Sequence, residues 1–275
     1  MPTQIEKAHA FRALHERSGT FVIPNPWDPG SARLLASLGF EALTSTSAGF
    51  AFSRGLPDYG VGRDTILAHV ADLAAATDVP MAADLENGFG DAPETVAETI
   101  RLAGTTGIVG GSIEDATGRA DAPIYSLEAS VERVRAAVEA ARSLPFPFTL
   151  TARAENLLHG RYDLADTIRR LQAFQDAGAD VLYAPGLKTR DEIATVLREI
   201  DRPLNVLMGF ADGNLSVAEL AELGVKRISV GATLARVAIG AFQRATEELR
   251  TTGTFNFAHD AASGAKLNSL FAQFA

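Results

Sequence analysis

The sequence predicts one α/β domain built as a parallel (β/α)8 barrel of the TIM type. Short runs rich in branched and aromatic residues alternate, about eight times, with stretches of helical length and period. Polar and charged residues gather at the C-terminal ends of those runs, where such a barrel carries its active site. No break in composition marks a linker, so residues 1–275 are expected to form a single domain, with 251–275 as a C-terminal oligomerisation tail. An open doubly wound sheet is the competing architecture. No Gly-x-Gly-x-x-Gly follows the first strand, which weighs against a dinucleotide fold.

Each element has its own signal. Gln4 to Arg17 places Ile5, Ala8, Phe11 and Leu14 on one helical face, and Ser18-Gly19 ends it. Phe21 to Trp27 is a first strand running into a Pro-rich end, and Ser31 to Leu38 is a helix closed by Gly39. Ala42 to Gly49 is a second strand that ends in hydroxyls. A loop from Phe50 to Gly62 precedes a helix from Arg63 to Thr77. The third strand, Val79 to Ala83, feeds into Asp84-Leu85-Glu86, and Pro93 to Ala103 is helical. The fourth, Ile108 to Asp115, again ends in acids. An aperiodic loop to Tyr125 and a long helix from Leu127 to Leu144 follow. Phe146 to Glu155, Val181 to Gly186, Pro203 to Met208 and Val225 to Gly231 supply the last four strands. Helices at Asp163 to Ala177, Arg190 to Ile200, Ser216 to Leu223 and Ala232 to Arg250 complete the series. The tail carries Phe255 and Phe257, then Leu267, Leu270, Phe271 and Phe274, more apolar surface than a solvated tail needs. It is expected to pack on a partner subunit or on its own barrel.

Composition narrows the function. The chain is 47% hydrophobic and 21% charged, ordinary for a globular protein with a large core. A net charge of -9 argues against nucleic acid and anionic membrane surfaces as partners. With no cysteine, disulfides, thiolate metal sites and a thiol nucleophile are excluded. The polar N-terminus lacks the apolar core of a signal peptide, and no uncharged run is long enough to span a bilayer. A cytoplasmic protein is the expectation.

The chemistry centres on Asp84-Leu85-Glu86-Asn87-Gly88-Phe89-Gly90-Asp91. Spacing i, i+2 puts both carboxylates on one face of a strand, and the glycines let the backbone turn away. Oxygen donors so placed suit Mg²⁺. An acidic turn capping the helix that starts at Pro93 is the other reading. The same rim receives Ser45, Thr46 and Ser47, Asp58, Glu114 and Asp115, Arg153 and Glu155, and Asn205. Carboxylates so close resist joint ionisation, and a divalent ion would relieve them. Arg153 could fork onto a substrate carboxylate or pair with Glu155 or another neighbouring acid. The histidines do not cluster; only His159, after the fifth strand, falls near the mouth. A zinc site or a Ser/His/Asp triad is therefore not expected.

The acidic stretch resembles the Asp-x-Asp/Glu-x-Gly-Phe/Tyr-Gly motif of the isocitrate lyase/phosphoenolpyruvate mutase superfamily. Ser45-Thr46-Ser47, Pro57-Asp58, Ser112-Ile113-Glu114-Asp115 and Thr151-Ala152-Arg153-Ala154-Glu155 match in order and spacing. The resemblance implies a barrel whose last helix is exchanged between subunits of a homodimer or homotetramer. It implies Mg²⁺ near Asp84, with Asp58, Glu86 and Glu114 holding the ion or its waters. It implies an α-keto acid or dicarboxylate gripped by Arg153 and Ser45 to Ser47, with Trp27, Asp84 and Asn205 as further contacts. Asp58, Glu114 and Arg153 are its catalytic candidates. The expected activity is C–C cleavage or decarboxylation of a small α-keto or 2-hydroxy carboxylate through an enolate. A phosphonomutase or phosphonopyruvate hydrolase, and a non-catalytic binder of α-keto dicarboxylates, are the alternatives. One departure is informative. Where the lyases carry a Cys-containing loop, this chain reads Ala116-Thr117-Gly118-Arg119-Ala120-Asp121-Ala122-Pro123. Ala116 also takes the place of the lysine in the phosphonomutase pattern.

Overall fold

A computed structural model of the chain describes residues 2–211 and 213–274. Its elements are α1 (Gln4–Glu16), β1 (Phe21–Val22), α2 (Pro29–Ser37), β2 (Leu43–Thr44), α3 (Ser47–Ser53), α4 (Arg63–Ala76), β3 (Met81–Asp84) and α5 (Pro93–Ala103). They continue with β4 (Gly110–Glu114), α6 (Leu127–Arg142), β5 (Thr149–Arg153), α7 (Leu164–Asp176), β6 (Val181–Tyr183) and α8 (Arg190–Glu199). The last are β7 (Leu204–Leu207), α9 (Val217–Leu223), β8 (Arg227–Ser229), α10 (Thr233–Thr252) and α11 (Gly264–Phe271). All strand pairs are parallel, in the order β1-β8-β7-β6-β5-β4-β3-β2. The two ends of that order meet where Thr44 N–H donates to the Pro24 carbonyl (3.1 Å) and Asn25 Nδ2 donates to the Ser45 carbonyl (3.1 Å). The predicted TIM-type barrel is therefore the observed architecture.

The strands are shorter than the apolar runs that announced them. The run through Ser45 to Gly49 leaves the sheet at Thr44 and becomes α3, because the Thr46 side chain accepts from Gly49 N–H as an N-cap. Helix α1 closes the N-terminal face of the barrel. A Thr3/Glu6 capping box starts it, and Ala8, Phe11 and Leu14 are buried. Phe11 comes so close to β4 that a Cβ on Gly110 would lie 2.9 Å from its ring, so this strand opens on glycine. Between sheet and helices the core is filled by side chains such as Ile66, Leu73, Phe148 and Phe174. No helix among the described residues is long and apolar enough to cross a membrane.

The helix after β8 departs from the ordinary barrel pattern. Of the 20 residues of α10 only Ala235 is buried, and Val237 and Phe242 are 61% and 69% exposed. The helix runs to Thr252, so the tail begins later than residue 251. The last helix, expected to pack on a partner or on its own barrel, lies on α2 of its own chain, with the Arg33 guanidinium 5.5 Å from the Phe274 ring centroid.

Candidate active site

Strand β3 ends at Asp84, and the chain then leaves by left-handed steps. Glu86, Gly88 and Phe89 have φ of 49°, 80° and 63°. Strand alternation therefore does not place Glu86; a backbone kink does. Left-handed backbone at residues with a Cβ costs on the order of 1–2 kcal/mol each and needs outside support. Arg133 supplies much of it. Its guanidinium, buried on α6, donates to the carbonyls of Asn87, Gly90 and Asp91 and lies 4.3 Å from the Tyr125 ring centroid. Asp91 does not cap α5, whose N-cap is Ala92 with no side-chain bond. It instead accepts from Tyr125 Oη (2.5 Å) and Arg119 (2.8 Å). The capping reading of the acidic stretch thus fails at Asp91. The loop after β4 is pinned there through Arg119 and closed by an Ala116–Ile124 bridge.

Above the kink, one cavity of about 410 Å³ opens at the C-terminal ends of the strands. Arg153 stands in its wall with three acids around it. Its Nη1 donates to Asp84 Oδ1 (2.9 Å) and its Nε to Glu155 Oε1 (2.7 Å), while Nη2 lies 3.2 Å from Glu114 Oε2. The expected free fork for a substrate carboxylate is therefore engaged internally. The physical reason is that β3, β4 and the segment just past β5 bring acids to within reach of the Arg153 guanidinium. Asp84 Oδ2 also accepts from Ser47 Oγ (2.9 Å) and Ser47 N–H (3.3 Å), and Asp84 N–H donates to Ser45 Oγ (2.9 Å). The Ser45 and Ser47 hydroxyls, just past β2, thus hold the acid in place and line the cavity with Thr46.

Charge in the mouth is not balanced. Burial, then the neighbouring Asp84 and Asp58, push Glu86 up to about 8. Burial likewise holds Glu114 well above the usual carboxylate range, despite Arg153. Glu114 Oε1 accepts the hydroxyl of Tyr59, a residue whose own φ is 60°. Asp58, Asp84, Glu86 and Glu114, expected to hold Mg²⁺ or its waters, line one cavity but do not cluster around a single point. No three such side chains among the described residues stand close enough to enclose an ion. Arg153 draws Asp84 and Glu114 onto itself, and Asp58 stands on an exposed loop. The donor set still fits a hard ion held by one carboxylate and several waters, since unrelieved negative charge and oxygen donors are what such an ion requires.

Asn205 lines the same cavity, but its amide is bound to Ser229 Oγ (2.9 Å) and to Arg227 Nε (2.8 Å). Trp27 does not line it. The backbone turns away after Pro24, and Asn25 takes the inward position, its Oδ1 accepting from Val230 and Gly231 N–H (both 2.9 Å). His159 reaches the rim. Tyr59, Tyr183 and Arg227 line the cavity as well and carried no motif signal in the sequence. Strict alternation along Arg227-Ile228-Ser229 was the one available hint for Arg227. Asp115 serves structure. It accepts from Glu155 N–H (2.7 Å) and Arg170 Nη1 (3.0 Å), beneath the site.

Comparison with known proteins agrees with this geometry. The family described as phosphoenolpyruvate phosphomutase matches residues 11–250. A crystal structure of a provisionally named lyase/mutase from Burkholderia cenocepacia J2315 is 65% identical, with a TM-score of 0.96 over 98% of this chain and 97% of that one. The 2-methylisocitrate lyase of Halalkalibacterium halodurans is 29% identical over 92% of this chain and 85% of its own. A phosphonopyruvate hydrolase crystallised with oxalate and Mg²⁺ is 25% identical, with a TM-score of 0.85 over 97% and 95% of the two chains.

Proposed function

The chain belongs to the isocitrate lyase/phosphoenolpyruvate mutase superfamily of lyases and mutases acting on small keto acids, and from that premise we propose that it is a Mg²⁺-dependent enzyme. The substrate is a small α-keto or 2-hydroxy carboxylate, and the reaction is C–C cleavage or decarboxylation through an enolate. One observation carries the reading. A cavity at the strand ends is lined by five carboxylates, Asp58, Asp84, Glu86, Glu114 and Glu155, three of which meet the Arg153 guanidinium. A related hydrolase structure that contains Mg²⁺ supports it.

Asp84, Glu86 and Asp58 would hold the ion or its waters. Bound there, the ion would supply Lewis-acid polarisation of a keto oxygen. The remaining work falls to the chain's own groups. Ser47 N–H and Oγ fix the Asp84 carboxylate. The Arg153 bond to Asp84 is the contact with which an incoming substrate anion competes, the guanidinium staying anchored on Glu155. Glu114, whose protonated form burial favours against the pull of Arg153, accepts the Tyr59 hydroxyl at the mouth. In a chain without cysteine it is the candidate acid for an enolate carbon.

The engagement of Arg153 by three acids favours a second reading, a site that holds a keto dicarboxylate without turning it over. A screen of oxaloacetate, 2-methylisocitrate, dimethylmalate and phosphonopyruvate with Mg²⁺ separates the two. Mg²⁺-dependent product from one of them, lost in Glu114→Gln, is expected. Binding without product from any of the four would refute the enzyme reading.

A further inference from the structure

Beneath Arg153, the barrel interior is unlike the packed branched-apolar layers usual in this fold. The positions facing inward are small or polar, including Thr44, Ala82, Ser112, Thr151 and Ser229, and the cavity runs down among them. At its floor lies Arg227, only 6% exposed. Its guanidinium meets no carboxylate among the described residues. Nε donates to Asn205 Oδ1 (2.8 Å), Nη2 to Thr151 Oγ1 (2.9 Å) and Nη1 to His15 Nε2 (3.3 Å). His15 is neutral, its Nδ1–H donating to the Phe11 carbonyl (2.8 Å). Every partner is therefore a neutral acceptor. Among the described residues three of its five N–H groups are engaged, which leaves one on each terminal nitrogen, and a guanidinium binds a carboxylate through two such N–H groups.

We infer that this floor is a second anion subsite, in which Arg227 receives the remote carboxylate of a dicarboxylic keto acid. The inference rests on the mouth being the keto-acid end. A buried charge without a counter-ion is costly, and an anionic ligand removes that cost. Arg133 shows the contrasting structural solution, since it meets backbone carbonyls and does not line the cavity. Scale also fits. Thr151, which Arg227 touches, precedes Arg153 by two residues on β5, so the two guanidinium levels are about 7 Å apart along the strand. A four- or five-carbon dicarboxylate spans that interval.

The test compares α-ketoglutarate with 2-oxopentanoate, which has the same chain and lacks the second carboxylate. Both are titrated by calorimetry into the full chain with and without Mg²⁺. The wild type should bind α-ketoglutarate at least about thirtyfold more tightly, the value of one charge-assisted fork. Arg227→Met should erase that advantage and leave 2-oxopentanoate within about threefold. Thr151→Val, which removes an orienting hydroxyl and keeps the shape, should reduce it. If Arg227→Met does not fold, the wild-type ratio and Thr151→Val decide. Equal affinity of the two ligands in the wild type, a preference that survives both substitutions, or an equal loss for both ligands would overturn the subsite. Mg²⁺ without effect on either ligand, while the preference still follows Arg227, would remove the mouth reading and leave the floor standing. Failure of the wild type to bind either ligand would remove both.

Discussion

Glu86→Gln should make the ion-free protein more stable, and increasingly so as pH rises. Glu86 is 5% exposed and shares the mouth with Asp84 and Asp58. Its ordinary value is 4.5, and burial, then those two acids, raise it to about 8 in the folded chain. Below 4.5 the carboxyl is protonated in both folded and unfolded chains and costs nothing. Between 4.5 and about 8 the unfolded chain releases the proton while the folded chain keeps it, so stability falls as pH rises. Above that the loss is complete. Glutamine has no proton to lose. Its advantage over glutamate should be about 1 kcal/mol near pH 5, about 3 kcal/mol near pH 7 and close to 5 kcal/mol well above pH 8. Urea denaturation in EDTA at three pH values measures this, and groups common to both proteins cancel in the difference. A difference that does not change with pH would refute the reasoning, as would a variant less stable than wild type throughout. Saturating Mg²⁺ should shrink the difference at high pH, because the ion takes over the relief of charge.

Asp84→Ala should abolish Mg²⁺ binding by calorimetry while circular dichroism shows the barrel intact; unchanged affinity would end the metal assignment. Arg153→Ala removes the cation that Asp84, Glu114 and Glu155 share and should cost about 3–5 kcal/mol in ion-free stability at neutral pH. Arg153→Lys keeps the charge but not the fork, so Mg²⁺-dependent keto-acid binding should fall more than about tenfold. The exposed apolar face of α10, Val237, Ile239 and Phe242, should cross to a partner barrel. Analytical ultracentrifugation should show at least a dimer at micromolar concentration, and a wild-type monomer would contradict the exchange.

The alternation of strands and helices was legible because buried strands and amphipathic helices write different periods. The mouth was legible for the same reason, since polar residues that end successive apolar runs must share one rim. What was hidden is of two kinds. Short elements such as α3 lie inside an apolar run and are decided by a single cap at Thr46. Pairings across the barrel, such as Arg153 with acids from β3, from β4 and from beyond β5, depend on side-chain reach. Glu86 shows both limits, as alternation pointed it toward the mouth while a left-handed kink is what places it in the cavity wall. The tail's apolar surface was visible, but the body it covers was not; α2 supplies part of that body.

The distribution of charge in the barrel bears on what the cavity admits. The acids occupy the rim, with Arg153 drawn among them, while Arg227 lies a layer lower, where its hydrogen-bond partners among the described residues are neutral. Contact between Arg227 and any of those acids would cancel charge at both levels and leave nothing for a ligand to compensate. Thr151, Asn205 and Ser229 fill the interval with neutral polar groups and keep the cation from the acids. A monocarboxylate bound at the rim satisfies one end of such a cavity. A ligand whose two carboxylates reach both levels, accompanied by a divalent ion at the upper one, satisfies both. On the proposed subsite, discrimination by chain length and by the second carboxylate would reside in the barrel interior, and substitutions in the floor should change selectivity while leaving Mg²⁺ affinity at the rim unaltered.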